Sequence, residues 1–405
     1  MTVSGVDWGR FTACGSPEAE ARIADMVTRV AETLAGALRR RTYRAVVMTG
    51  SYGRGEGGVL VEDGYERPHN NFDLLIISRG GVGPSELKRR ADEALGPLIE
   101  EFGIGIDIGC VSERQISRAP CLVMWYDTRF GHKTLLGDDQ FVPSLRHFTR
   151  EDIADWDVRN LLANRGTLLV INQLLLQRAK IDGHEQRLVI RHAMKGIIGY
   201  GDALLFFLGD YDWSYREKQR RMRQAERVSS NFRALYDEAM EFRFRPRYAD
   251  YLTRDLAAWN SRLLSELREV HLRCEALRLG IPELRWDDYG RRGFSRALVE
   301  RGVRPRELAR KARNALHRRC PGRPGGGRAR LGLLAAGWRE RLSLLFPAVA
   351  YDLDAPAYRS LAQVVLGVQD PHPDRLRAAY LRVWSDHVDP NFPAGLRDLC
   401  VSLAG

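Results

Sequence analysis

The chain has 405 residues, 44% of them hydrophobic and 28% charged, with a formal net charge of +11. That length supports two or three domains with cores of their own, and the balance of apolar and charged residues is the ordinary one expected of a soluble globular protein. The six cysteines (Cys14, Cys110, Cys121, Cys274, Cys320, Cys400) form no C-x-x-C pair, the N-terminal MTVSGVDWGRFTACG lacks a basic flank before an apolar core, and no run reaches the ~18 apolar residues of a span. Reduced thiols, a cytoplasmic location and no membrane partner are therefore expected, with neither a zinc site nor a disulfide framework.

In chain order, residues 19–41 carry Ile23, Met26, Val27, Val30, Leu34 and Leu38 at helical spacing, which predicts an amphipathic helix leading into a first strand over 45–48. Next comes the stretch 46–78, VVMTGSYGRGEGGVLVEDGYERPHNNFDLLIIS. It reads as that strand, a glycine-punctuated turn bearing Ser51, a polar excursion over 61–70 resembling an inserted loop, and a second strand over 72–77. The layout suits phosphate. Gly50 permits a sharp turn, Ser51 offers a hydroxyl and an N–H, Arg54 can answer negative charge, and Asp73 on the neighbouring strand could share a metal with the same phosphate. Residues 84–101 predict a helix with Leu87, Ala91, Leu95 and Leu98 inward, followed by a third strand, Ile106-Asp107-Ile108. The run 121–126, CLVMWY, is a strand or a short helix. This order predicts a small mixed sheet with helices against one face.

After residue 148 the pattern is almost wholly helical. Segments 152–178 and 186–208 read as two antiparallel helices of a bundle, the second closed by Gly209. Thr149 reads as a helix cap; Glu151, Asp152 and Asp155 suit the helix dipole better than a role as general base. Lys195, inside the second helix, is either a snorkelling lysine or a triphosphate contact, with Asp202 two turns along. His69 and His192 read as structural histidines. Tyr211, Trp213 and Tyr215 could stack on a substrate but more often such aromatics pack. One long helix is predicted over 248–279, and two or three more over 331–405, broken at Pro347, Pro356, Pro371 and Pro390. The expected division is 1–148, 149–284, 285–330 and 331–405.

Charge is unevenly placed. Residues 1–148 hold 18 Lys/Arg against 20 Asp/Glu, whereas 285–330 hold 15 against 4, so the excess can be assigned to one basic helix and Gly/Pro-rich linker. An arginine-rich solvated surface is the leading reading of that segment, and a grip on nucleic acid the second.

The Gly50-Ser51 turn after an apolar strand, the Asn71-Phe72-Asp73-Leu74 strand, the isolated Asp107 on a third strand and the HKTLLG element at 132–137 together resemble the polymerase-beta-type nucleotidyltransferase superfamily, over about the first third of the chain. The resemblance implies an α+β chain: a small mixed-sheet nucleotidyltransferase-like domain, then a mostly helical region closing the cleft. It implies Asp73, Asp107 and Asn71 as catalytic metal ligands for Mg2+, and Gly50, Ser51, Arg54 and Lys195 as nucleotide-binding residues. Asn71 stands where the family carries the first Asp of an Asp-x-Asp pair, and an amide brings oxygen without charge; Glu56, Glu62 or Asp63 could return it. The implied activity is magnesium-dependent transfer of a nucleoside monophosphate from a nucleoside triphosphate to a hydroxyl of a small molecule or protein. Two alternatives stay open: a catalytically weakened nucleotide-binding or antitoxin-like module, and an RNA-modifying transferase.

Overall fold

The computed structural model of the chain describes residues 6–302, 305–317, 327–370 and 372–388. It is an α+β protein with one small mixed sheet, one two-stranded sheet and many helices. The described chain divides into two compact units: residues up to Ala154 with Asp210–Arg247, and Asp155–Gly209 with the residues from Tyr248 on.

In the first unit α1 (Pro17–Ala37) starts where Ser16 Oγ accepts from Ala19 N and Pro17 fixes the first turn. It is followed by β1 (Tyr43–Thr49), the single turn α2 (Gly50–Gly53), β2 (Val59–Glu62), β3 (Tyr65–Pro68), β4 (Phe72–Ser78), α3 (Pro84–Phe102), β5 (Ile106–Ser112), α4 (Glu113–Ile116), α5 (Val123–Phe130) and β6 (Lys133–Gly137). The four-stranded order is β5-β4-β1-β6, antiparallel except for the β4–β5 pair, where α3 is the crossover that parallel strands require. One face of the sheet, with Val46, Met48, Leu74, Ile76, Ile106 and Ile108, packs with Ile23, Val27, Val30 and Leu34 of α1 and Leu87, Ala91 and Leu95 of α3 into a single core. Each such side chain other than Ala91 contributes about 1.5–3 kcal/mol by leaving water. Strand residues alternate between faces, so Thr49, Asp73 and Asp107 stand on the face away from that core.

The second unit opens with α6 (Asp155–Leu175) and α7 (Gly183–Leu208); α8 (Tyr215–Gln224) and α9 (Ser230–Phe244) belong to the first unit. Then α10 (Ala249–Leu252), α11 (Leu256–Leu279), α12 (Trp286–Ala297), α13 (Pro305–His317), α14 (Gly327–Ala335), α15 (Trp338–Ala350), α16 (Pro356–Leu366) and α17 (Pro373–His387) complete the second unit. Gly209 takes the left-handed conformation (φ 86°) that ends α7. A fully buried ion network ties this unit together. Glu300 accepts from Arg159 at 2.7 Å and from Arg278 at 2.5 Å, and Arg278 also donates to Glu275.

Several elements differ from the sequence reading. Residues 61–70 are not a plain loop: β2 and β3 form a hairpin whose Asp63-Gly64 corner has positive φ at both positions (50° and 80°), the geometry of a tight two-residue turn. Of the ambiguous run 121–126, residues 123–126 form the start of α5, with Leu122 as its extended N-cap. The helix expected over 248–279 is interrupted at residues 253–255, because Asp255 caps α11 by accepting from Ala258 N. Pro347 lies inside α15, which runs one more turn to Ala350, whereas Pro356 starts α16 as expected. Residues 210–247, expected in the helical bundle, cluster with the sheet unit. Of the basic 285–330 stretch, 303, 304 and 318–326 lie outside the described residues, as do Cys320, Cys400, Pro371 and Pro390. No helix among the described residues is long and apolar enough to cross a membrane.

Candidate functional site

The site is built at the ends of three neighbouring strands. β1 ends at Thr49, which pairs with Asp73, and Asp73 pairs in turn with Asp107 across the parallel β4–β5 ladder. Neighbouring residues in register point to one face, so the two carboxylates stand side by side. Asn71, two residues before Asp73, donates its amide N–H to Asp107 Oδ2 at 3.0 Å. It packs over Gly105, where a Cβ would lie 2.8 Å from the Asn71 amide carbon.

The turn after β1 approaches the same carboxylates. Gly50 has φ 65°, and a Cβ placed on it would lie 2.1 Å from Asp73 Oδ2. The Asp73 carboxylate therefore rests against the bare α-carbon of Gly50, and both the conformation and the space require glycine. Ser51 follows at 3% exposure, and its carbonyl accepts from Glu56 N. Tyr52 anchors the turn from below. Its ring meets Phe72 edge-on at 5.1 Å, its hydroxyl donates to Gly58 O at 2.7 Å and accepts from His69 N, and burial pushes its pKa up to about 12. Asn71, Asp73, Asp107, Gly50 and Ser51 are thus brought together.

Arg54 takes a different position from the one its sequence context suggests. Its guanidinium is buried, paired with Asp127 at 2.7 Å, bonded to Trp213 O at 2.8 Å and lying over the Tyr215 ring at 4.5 Å. Burial, the largest single influence, opposes its charge, but Asp127 together with Tyr215, Tyr211 and Glu56 outweighs it and holds its pKa above the ordinary arginine range. Glu56 is also engaged: it accepts from Ser214 Oγ and Tyr215 N at the start of α8. Glu62 pairs with Arg67 across the hairpin, and Asp63 forms the hairpin corner, so neither is placed by these contacts beside Asp107. Lys195 is half-buried on α7 of the second unit, with His192 one turn before it. His192 is structural, as expected: it bonds Asn172 at 2.9 Å, and burial, then Lys195, press its pKa down to about 3. Asp152 is bonded to Thr149, which caps a turn there rather than α6; Glu151 pairs with Arg150 and Asp155 with Arg296.

Sequence reasoning missed the cations around Tyr215. Besides Arg54, Lys218 Nζ lies 4.4 Å and the Arg243 guanidinium 3.8 Å from its ring centre, and Lys218 is fully buried. The nearest signal was the aromatic cluster 211–215. Tyr211 completes the arrangement by donating to Asp127.

Two carboxylates and an amide make an all-oxygen donor set, the kind a hard divalent cation takes, with Asp73 and Asp107 supplying the charge. Among the described residues no group of three His, Cys, Asp or Glu side chains could hold a metal ion. The third position here is the neutral Asn71. Comparison of the chain with protein-family models, with curated proteins and with solved structures returned no match.

Proposed function

We propose that the first unit is a magnesium-dependent nucleotidyltransferase, moving a nucleoside monophosphate from a nucleoside triphosphate to a hydroxyl group of an acceptor, in the cytoplasm. One observation carries this reading: Asp73 and Asp107 stand in register on one sheet face, with the Asp73 carboxylate seated on Gly50 at the head of the Ser51 turn.

Asp73 and Asp107 would hold the cation, with the Asn71 amide oxygen as a third, uncharged ligand once its N–H to Asp107 is rearranged. A magnesium ion bound there neutralises phosphate oxygens and lowers the pKa of a bound hydroxyl. The residues do the positioning. Gly50 lets the backbone come within reach of a phosphate, and the Ser51 hydroxyl orients it. Arg54, held by Asp127, fixes the turn and contributes positive potential rather than a direct phosphate contact.

A second reading, a nucleotide-binding module without turnover, is favoured by Asn71, because its site carries one carboxylate fewer for the cation. Incubation with each of the four nucleoside triphosphates, magnesium and a metabolite extract separates them. Pyrophosphate release that is lost in Asp73→Asn supports transfer; triphosphate binding without release supports the module; neither binding nor release refutes both.

A further inference from the structure

We infer that the helical second unit carries a pocket for a small carboxylate-bearing molecule. The cavity, of about 350 Å³, is walled by α6, by one face of α11, by the chain after α15 and by α17. That is the lower end of the ~300–1,000 Å³ typical of ligand pockets.

Its floor is the end of a buried hydrogen-bond chain. Asn172 Oδ1 can only accept, so the Nδ1–H of His192 donates to it at 2.9 Å. The Asn172 amide donates to Val189 O at 2.9 Å and to Asn260 Oδ1 at 3.4 Å. Asn260 is only 3% exposed and lines the cavity, and its oxygen is the acceptor of that last bond. Nε of Arg377, a residue that lines the same cavity, is a buried donor with no hydrogen-bond partner among the described residues, so the pocket calls for an acceptor atom.

The walls add donors and cations. Asn260, Ser261, Ser265 and Arg268 fall on one face of α11 at helical spacing. Arg377, 6% exposed, reaches in from α17. It is bonded to Asp374 at 2.9 Å and held more loosely by Asp352 at 3.5 Å, and the Asp352 side chain is 84% exposed at the rim. An incoming carboxylate would take the place of Asp352 on Arg377 while accepting from its Nε–H. Asp352 is then a competitor of the ligand rather than part of its recognition.

The test is calorimetric titration of the full chain with citrate and with succinate, choline serving as the cationic control. Saturable binding of either acid is expected, weakened roughly tenfold in Arg268→Ala and lost in Ser261→Trp, which fills the cavity from an exposed position. Asp352→Asn is expected to tighten it, and Asp73→Asn to leave it unchanged. Circular dichroism identical to the parent shows that each variant folds. The inference is overturned if neither acid binds more tightly than about 1 mM, if choline binds instead, if Ser261→Trp binds as the parent does, or if Asp352→Asn weakens binding.

Discussion

Asn71→Asp places a third carboxylate where the amide now donates to Asp107 at 3.0 Å. Two effects act on the metal-free protein. The hydrogen bond to a charged acceptor is lost, about 1 kcal/mol at so exposed a position. Two negative charges then face each other at 3–4 Å, which costs about 1 kcal/mol where water screens them. Together they destabilise the first unit by about 2 kcal/mol, a fall in Tm of about 4–8 °C for a unit of this size. Magnesium reverses the sign, because a divalent cation between the carboxylates converts repulsion into ligation. Scanning calorimetry of parent and variant, with chelator and then with magnesium, measures both parts. The variant should melt lower without the metal and close most of the gap with it. A variant as stable as the parent in chelator would mean that residues 71 and 107 are not neighbours in solution. A gap untouched by magnesium would mean that the acidic face does not take a divalent ion.

Other perturbations have equally definite outcomes. Gly50→Ala should cost about 1–2 kcal/mol for the left-handed backbone alone, and, by displacing the Asp73 carboxylate, should abolish any magnesium-dependent rise in Tm; a retained metal response would contradict the seating of Asp73 on Gly50. Glu300→Ala leaves the buried Arg159 and Arg278 without their shared partner and should cost about 3–5 kcal/mol in urea unfolding; a change under 1 kcal/mol would deny the network a structural role. Burial holds the pKa of His192 at about 3 and that of His271 at about 4. The unfolded chain therefore binds protons below about pH 6.5 that the folded chain refuses, and stability falls as pH drops through that value, by about 2 kcal/mol per histidine at pH 5. Proton NMR should show neither ring titrating above pH 5.

The strands and their two acids were legible because each sits in a short apolar run bounded by a turn. Asp73 follows Phe72 and Asp107 follows Ile106 at the same step of their strands, so the pairing needs only parallel register. The β2–β3 hairpin was hidden because charged residues fill its alternation, although its Asp63-Gly64 corner was a usable signal. Arg54 illustrates a deeper limit. Its local context suits a phosphate contact, while the partner that takes it, Asp127, lies 73 residues further on and no spacing announces it. The same holds for the membership of residues 210–247 in the sheet unit. The run after Tyr215 reads as a polar helix, but the bonding of Glu56 to Ser214 and Tyr215 at its start is a pairing between distant polar groups that only the fold reveals.

The most direct measurement is Mn2+ binding, followed by electron paramagnetic resonance with ATP present, in the parent and in Asp73→Asn and Asp107→Asn. Stoichiometric loss of the free-ion signal in the parent, abolished by either substitution, is the predicted result. Equal uptake by all three proteins would contradict a divalent site between those two carboxylates and remove the basis for nucleotide chemistry at the Ser51 turn.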